Sequence, residues 1–198
     1  EEKYSKFPNI LKNYSINEYC WTVDPIDGTA NFIKGKNKFA IMVALSFKEK
    51  ILQSWIYKPL TEEICYAIQG GGCFENENKV KIEKTSTLKL SKGSISSKYW
   101  DDYYLDRILK IKDIFDEVKS YGCIGFEYVD IANGSRDFAI LSKLSPWDHI
   151  PGILIVREAG GSDTYFDRGK YNHCYNKKNL IVTGDNNLAN EILSLIKE

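Results

Sequence analysis

The chain has 198 residues, 43% of them hydrophobic and 13% aromatic, which is enough to bury one substantial core and short enough for a single domain. Its 27 Lys and Arg balance 27 Asp and Glu. There is thus no net field to attract nucleic acid, and no basic run interleaved with stacking aromatics. The longest apolar stretch, Ile150 to Val156, is far too short to span a bilayer.

The elements are read in chain order from periodicity and punctuation. Trp21-Thr22-Val23 reads as the end of a buried strand, and Pro25 and Gly28 as the turn that follows it. Phe39 to Phe47 and Ile51 to Lys58 read as strands joined by the charged turn Lys48-Glu49-Lys50. Glu63 to Ile68 forms a third, before the Gly70-Gly71-Gly72 turn. That succession is a meander, not a parallel sheet. Tyr104, Ile108, Ile111 and Phe115 recur at helical steps and predict a helix over Tyr99 to Phe115. Glu117 to Tyr121 reads as a strand, Glu127 to Asn133 as a helix ended by Gly134, and Asp137 to Leu141 as a strand. A helix follows Trp147-Asp148, with Asp148 at its start, Pro151 in the first turn, an apolar body and Gly160-Gly161 at its end. Leu180 to Thr183 and Asn187 to Ile196 supply the closing strand and helix.

Two segments carry chemistry. In Asp24-Pro25-Ile26-Asp27-Gly28-Thr29-Ala30-Asn31 two carboxylates project from one strand end, where they can share hard cations. Gly28 lets the backbone come close, and the Thr29, Ala30 and Asn31 amides open a short helix whose positive end suits a phosphate. An ordinary surface turn of Asp, Pro and Gly accounts for the first five residues equally well. Helix capping likewise accounts for Asp148 without a function.

Taken together, the two segments resemble the signature motifs of the inositol monophosphatase family, the magnesium-dependent, lithium-sensitive sugar and nucleotide phosphatases. Val23 to Phe32 matches the first motif apart from Ala30, where Thr or Ser is common. Trp147-Asp148 through Gly160-Gly161 matches the second, with Ile150 where a small residue is usual. The resemblance covers the whole chain, residues 1–198, as a single domain with sub-lobes of roughly 1–95 and 96–198. It implies an α/β (α+β) fold, the layered αβαβα sandwich of the inositol monophosphatase and fructose-1,6-bisphosphatase type.

The resemblance also implies a site. Two or three Mg2+ ions would be held by Glu1, Asp24, the Ile26 carbonyl, Asp27 and Asp148, with Asp24 bridging two of them. Glu1 and Glu2 stand where the family has a Gly-Glu-Glu, although two solvated terminal charges are the ordinary reading of such a pair. Asp27 and Thr29 are the catalytic candidates, with Thr29 orienting the attacking water. Gly28 and Thr29 would hold phosphate, and Gly125 and Glu127 would approach the substrate, although capping of a helix is the favoured reading of Glu127. The carboxylate that works with Thr29 in the family is expected upstream of Glu1, so the chain is expected to be N-terminally truncated. The position of a sugar-binding Glu in the animal inositol-specific members is Leu141 here. That points away from a strict myo-inositol phosphatase and toward a bacterial-type branch.

The expected function is therefore Mg2+-dependent hydrolysis of a small polyol, sugar or nucleotide phosphate. The alternatives are a 3'(2'),5'-bisphosphate nucleotidase or histidinol-phosphatase-like member, and a catalytically idle metal-binding relative. Haloacid dehalogenase phosphatases place their two aspartates two residues apart so that one attacks covalently; Asp24 and Asp27 are three apart. The expected partners are a small phosphate ester and a second copy of the chain, with neither nucleic acid nor membrane. Five scattered cysteines without metal-site spacing suit reduced thiols in a cytoplasm. His149, beside Asp148, is open to either a site role or a packing one, and His173 lies in a polar loop.

Overall fold

The computed structural model describes residues 6, 14, 18–83 and 87–197. Glu1 and Glu2 lie outside the described residues. The three-stranded meander predicted from the sequence is the middle of a six-stranded antiparallel sheet in the order β1-β2-β3-β4-β5-β6, whose last two strands the sequence reading did not include. Its strands are β1 (Tyr19–Asp27), β2 (Ala40–Phe47), β3 (Lys50–Lys58), β4 (Glu63–Ile68), β5 (Gly72–Glu75) and β6 (Asn78–Val80). A one-turn helix, α1 (Thr29–Ile33), leaves the end of β1.

A second, mixed sheet has the order β10-β11-β9-β7-β8. It is built from β7 (Lys92–Ile95), β8 (Glu117–Val118), β9 (Phe138–Leu141), β10 (Ser162–Tyr165) and β11 (Leu180–Thr183). Among the described residues four longer helices accompany the sheets: α2 (Asp102–Ile111), α3 (Ile124–Ala132), α4 (Pro146–Glu158) and α5 (Asn186–Lys197). Helices α3 and α4 pack on each other and against both sheets, while α2 and α5 pair on the far face of the second sheet. The described layers thus run sheet, helix pair, sheet, helix pair.

Both faces of the second sheet are covered, which explains why its strands read as continuous apolar runs. Ala139, Leu141, Leu180 and Val182 face the α3–α4 layer and join its core. The intervening Phe138, Ile140 and Ile181 face the other core with Ile108, Ile111, Leu188, Ile192 and Ile196. In α5 those apolar residues recur at three- and four-residue steps, the stripe a one-sided helix needs.

Several boundaries differ from the sequence reading. Trp21 and Val23 are on the solvent side of β1 at 61% and 41% exposure, and the buried residues of this strand are Thr22, Asp24 and Asp27. Pro25 lies within β1 and does not end it. This is tolerated because β1 is an edge strand and the ladder is irregular between Asp24 and Asp27. The predicted helix over 99–115 shortens to Asp102–Ile111 followed by a 3-10 turn over Lys112–Ile114. Asp101 caps it by accepting the Tyr104 N–H. The predicted strand over 117–121 keeps only Glu117 and Val118.

Close approach of α3 and α4 depends on one glycine. A Cβ on Gly152 would lie 2.1 Å from the Tyr128 ring, and Tyr128 is fully buried. Gly152→Ala should therefore destabilise the fold by about 3 kcal/mol through overpacking, read as a lower urea midpoint. An unchanged midpoint would mean that the two helices do not meet at this distance in solution.

Candidate active site

The site begins with a one-residue irregularity. Residues three apart on a regular strand face opposite sides of the sheet. In β1, Asp24 pairs with Met42 but Asp27 pairs with Ala40, so β1 carries one more residue than β2 across this interval. The bulge restores the parity, and both carboxylates end on the buried side, with Asp24 at 2% and Asp27 at 7% exposure. Asp24 Oδ1 accepts the Ile26 N–H at 3.0 Å, which stabilises the bulged backbone.

Asp148 arrives from the other side, in the first turn of α4. The helix starts two residues earlier than the sequence reading placed it: Ser145 is the N-cap and Pro146 opens the first turn. Asp148 is therefore not the cap, and Pro151 is inside the helix. Carboxylate oxygens of Asp24, Asp27 and Asp148 all lie within 4.8 Å of one another. The N-terminal end of α4 faces this negative charge with the favourable end of its dipole.

Burial governs the electrostatics. Removal from water, and then the neighbouring charge of Asp24, raise the Asp27 pKa to about 6, against the opposing pull of hydrogen bonds from Cys123 and Gly125. A partly solvent-accessible, all-oxygen cluster with too much negative charge for its surroundings is what a hard divalent cation would relieve. The donor set thus fits a hard divalent cation by its chemistry.

The other candidates divide clearly. Gly28 has φ of +81°, and a Cβ there would meet both the Cys123 Cβ and the Lys38 carbonyl at 3.0 Å, so no other residue fits this turn without displacement. Thr29 is exposed and its hydroxyl donates to the Ile26 carbonyl at 2.8 Å. That carbonyl retains a second lone pair. The Asn31 amide, expected to face a phosphate, donates to the Gly28 carbonyl at 2.8 Å. Gly125 does reach the site, with its N–H 2.6 Å from Asp27 Oδ2.

Glu127 turns inward. Helix α3 begins at Ile124 with Cys123 as its N-cap, so Glu127 is not the helix start. Its carboxylate accepts from the Ser94 hydroxyl, from the Ser120 hydroxyl at 2.8 Å and from the Tyr121 N–H at 2.8 Å. The hydroxyls it binds are the protein's own. His149 is also internal. Its Nε2 donates to the Lys143 carbonyl at 3.0 Å, which assigns Nδ1 as acceptor of the Tyr128 hydroxyl at 2.8 Å. Burial lowers its pKa to about 4.

Two contributors were not foreseen from the sequence. The Cys123 thiol donates to Asp27 Oδ2 at 2.9 Å. The Asn31 side chain donates to the Lys38 and Tyr121 carbonyls at 2.8 and 2.9 Å, tying α1 to the loop before α3. Ninety or more positions separate Asn31 from Tyr121 and Asp27 from Cys123 in sequence. No local pattern signals such contacts.

Layered sheets and helices enclosing a cluster of acidic oxygens beside a Gly-Thr turn define a class, the metal-site α/β phosphatases. The model of the inositol monophosphatase family matches residues 1–198. The chain belongs to that family, whose members are phosphoric monoester hydrolases. A fructose-1,6-bisphosphatase/inositol-1-monophosphatase of Thermotoga maritima is 28% identical over 199 residues, covering 99% of this chain and 76% of the relative. A putative Nus factor SuhB of Neisseria meningitidis serogroup B is 31% identical over 150 residues, 73% of this chain and 57% of that protein. The solved structure of a Thermotoga maritima IMPase superposes with a TM-score of 0.80 at 27% identity, covering 92% of this chain and 70% of that one. The chain spans between about half and three quarters of the curated relatives it matches.

The raised pKa of Asp27 has a consequence for stability. The group binds its proton more tightly folded, at about 6, than unfolded, at 3.8. Its favourable contribution is thus complete below pH 3.8 and is lost as pH rises through 6. In cation-free buffer, Asp27→Asn should be more stable than the parent at pH 7, by at most about 3 kcal/mol, and the gap should close toward pH 4. Equal unfolding midpoints at both pH values would refute the buried, charge-crowded setting of Asp27.

Proposed function

We propose that this chain carries a divalent-cation-dependent phosphomonoesterase centre acting on a small polyol, sugar or nucleotide phosphate. The observation that carries the reading is the convergence of Asp24, Asp27 and Asp148 on one point from two separate elements. In this reading Asp24, Asp27 and Asp148 hold the metal, assisted by the second lone pair of the Ile26 carbonyl and by Glu1. Two or three Mg2+ ions, when bound, supply Lewis-acid polarisation of the phosphate and a lowered water pKa.

The remaining work falls to the chain's own groups. Thr29 spends its proton on the Ile26 carbonyl, so its oxygen presents lone pairs outward. It can accept a hydrogen bond from the attacking water and hold it in line with the phosphorus. The backbone N–H groups of Gly28 and Thr29 are the donors assigned to the phosphate oxygens. Asp27 must be ionised to serve, and a bound cation would bring its pKa back down. Glu127, with both oxygens engaged internally, supports the loop before α3 in this scheme and does not touch the substrate. Lithium sensitivity, a homodimer and a cytoplasmic setting belong to the same reading.

One observation favours a second reading, an idle or assembly role. The Neisseria meningitidis relative is described as a putative Nus factor. The retained Asp24, Asp27, Thr29 and Asp148 support the enzyme over that alternative.

Phosphate release should be measured with Mg2+ across inositol, sugar, histidinol and 3'-phosphoadenosine phosphates. Asp24→Asn is expected to lower turnover on the best substrate by at least about 100-fold, as loss of a carboxylate that would hold the cation should, with the unfolding transition retained. Wild-type-like release from that variant would sink the assignment. Lithium, competing for the position formed by Asp24, Asp27 and Asp148, is expected to inhibit. Turnover indifferent to lithium at high concentration would count against cation binding at that position.

A further inference from the structure

Asp27 is gripped by the start of α3. Its Oδ2 accepts the Gly125 N–H at 2.6 Å and the Cys123 thiol at 2.9 Å. The thiol is 2% exposed, and β1 and α3 meet here through Gly28, whose missing Cβ makes room for that of Cys123. A carboxylate held by one donor still pivots about that bond. A second donor from another direction fixes its plane. Both contacts fall on Oδ2, and the Ile124 N–H is a further donor to the same carboxylate.

We propose that Cys123 is a positioning residue for metal binding: its thiol and the Gly125 N–H together hold the Asp27 carboxylate in the orientation the cation site requires. The inference rests on the reading that Asp24, Asp27 and Asp148 bind divalent cations. It assigns Cys123 no contact with cation or substrate. Gly125 is the companion constraint, because a Cβ there would stand 3.1 Å from both Asp27 Oδ2 and Met42 Sδ. A side chain at 125 would press on the same oxygen while the N–H stayed in place.

The test is Mn2+ binding by the full chain, followed through the electron paramagnetic resonance of the free ion. Unfolding curves are recorded for each variant. Cys123→Ala should weaken Mn2+ binding roughly tenfold, the low end for loss of a group that orients a ligand, since a thiol is a weak donor. Cys123→Ser, nearly isosteric and still a donor, should recover most of that affinity. Gly125→Ala should weaken binding as well. In the turnover assay the loss should show as a higher Mg2+ requirement for half-maximal rate. Parent-like Mn2+ affinity in Cys123→Ala overturns the proposal, as does a Ser variant no better than Ala. If the Ala variant does not fold, the Ser and Gly125→Ala variants decide. A parent chain that takes up no Mn2+ overturns the metal reading itself, a result distinct from any difference among variants.

Discussion

The arrangement depends on a parity change in one edge strand. Along β1, Tyr19, Trp21 and Val23 point to solvent while Thr22 and Asp24 point inward, and regular alternation would send Asp27 outward with the odd-numbered residues. The extra residue between Asp24 and Asp27 reverses that. Two like charges are thereby forced into one partly buried volume, where burial first and then the charge of Asp24 raise the cost of ionising Asp27. A strand without the bulge would be more comfortable and would have no cluster. Pro25 suits the irregularity, since it has no N–H to lose from the ladder and sits where the ladder is already broken.

Holding three carboxylates together requires a frame that does not yield to their repulsion, and α4 supplies much of it. At its far end, Glu158 accepts the Gly70 and Gly72 N–H groups at 2.8 and 2.9 Å, fastening the helix to the turn between β4 and β5. One residue earlier, Arg157 makes a bidentate pair with the buried Asp163, which fastens the helix to β10. Near its start, His149 bonds to Tyr128 of α3 and to the Lys143 carbonyl. The body between is apolar and buried on all sides. Asp148 therefore stands on a helix tied at its far end to both sheets and near its start to α3 and the loop that precedes it. Asp27 is tied separately to α3, and α3 is packed on α4 through Gly152 and Tyr128. Separation of the carboxylates would have to break one of these ties.

How much of this was legible in the sequence depends on how local the cause is. Strand and helix identities in the meander, in β9, in β11 and in α5 followed from period and punctuation, because the responsible residues are neighbours. The three clustered carboxylates were named because the two short motifs that hold them resemble those of the inositol monophosphatase family; taken alone, a turn and a helix cap explain them as well. Boundaries failed where tertiary contacts override local signals. Asp148 has good N-cap chemistry, but Pro146 starts the helix before it. Trp21 and Val23 look like core residues, but this face of β1 is the exposed one. Glu127 looked free to reach a ligand because nothing in its vicinity predicts Ser94, which comes from β7.

The same distinction separates residues that define the chemistry from those that tune it. Asp24, Asp27, Thr29 and Asp148 carry oxygens whose identity states the kind of ligand they suit. Cys123, Asn31, Gly125 and Gly152 carry no such statement, since each acts by what it lets another group do. Asn31 spends its side-chain amide on the Lys38 and Tyr121 carbonyls. The loop it holds runs directly into Cys123 and Gly125, which grip Asp27. Helix α1, the loop before α3 and the Asp27 carboxylate are in this way one mechanical unit, though they lie far apart in the chain. Leu141 is committed to the core, and both oxygens of Glu127 are engaged within the protein, so neither side chain stands free at the rim of that unit.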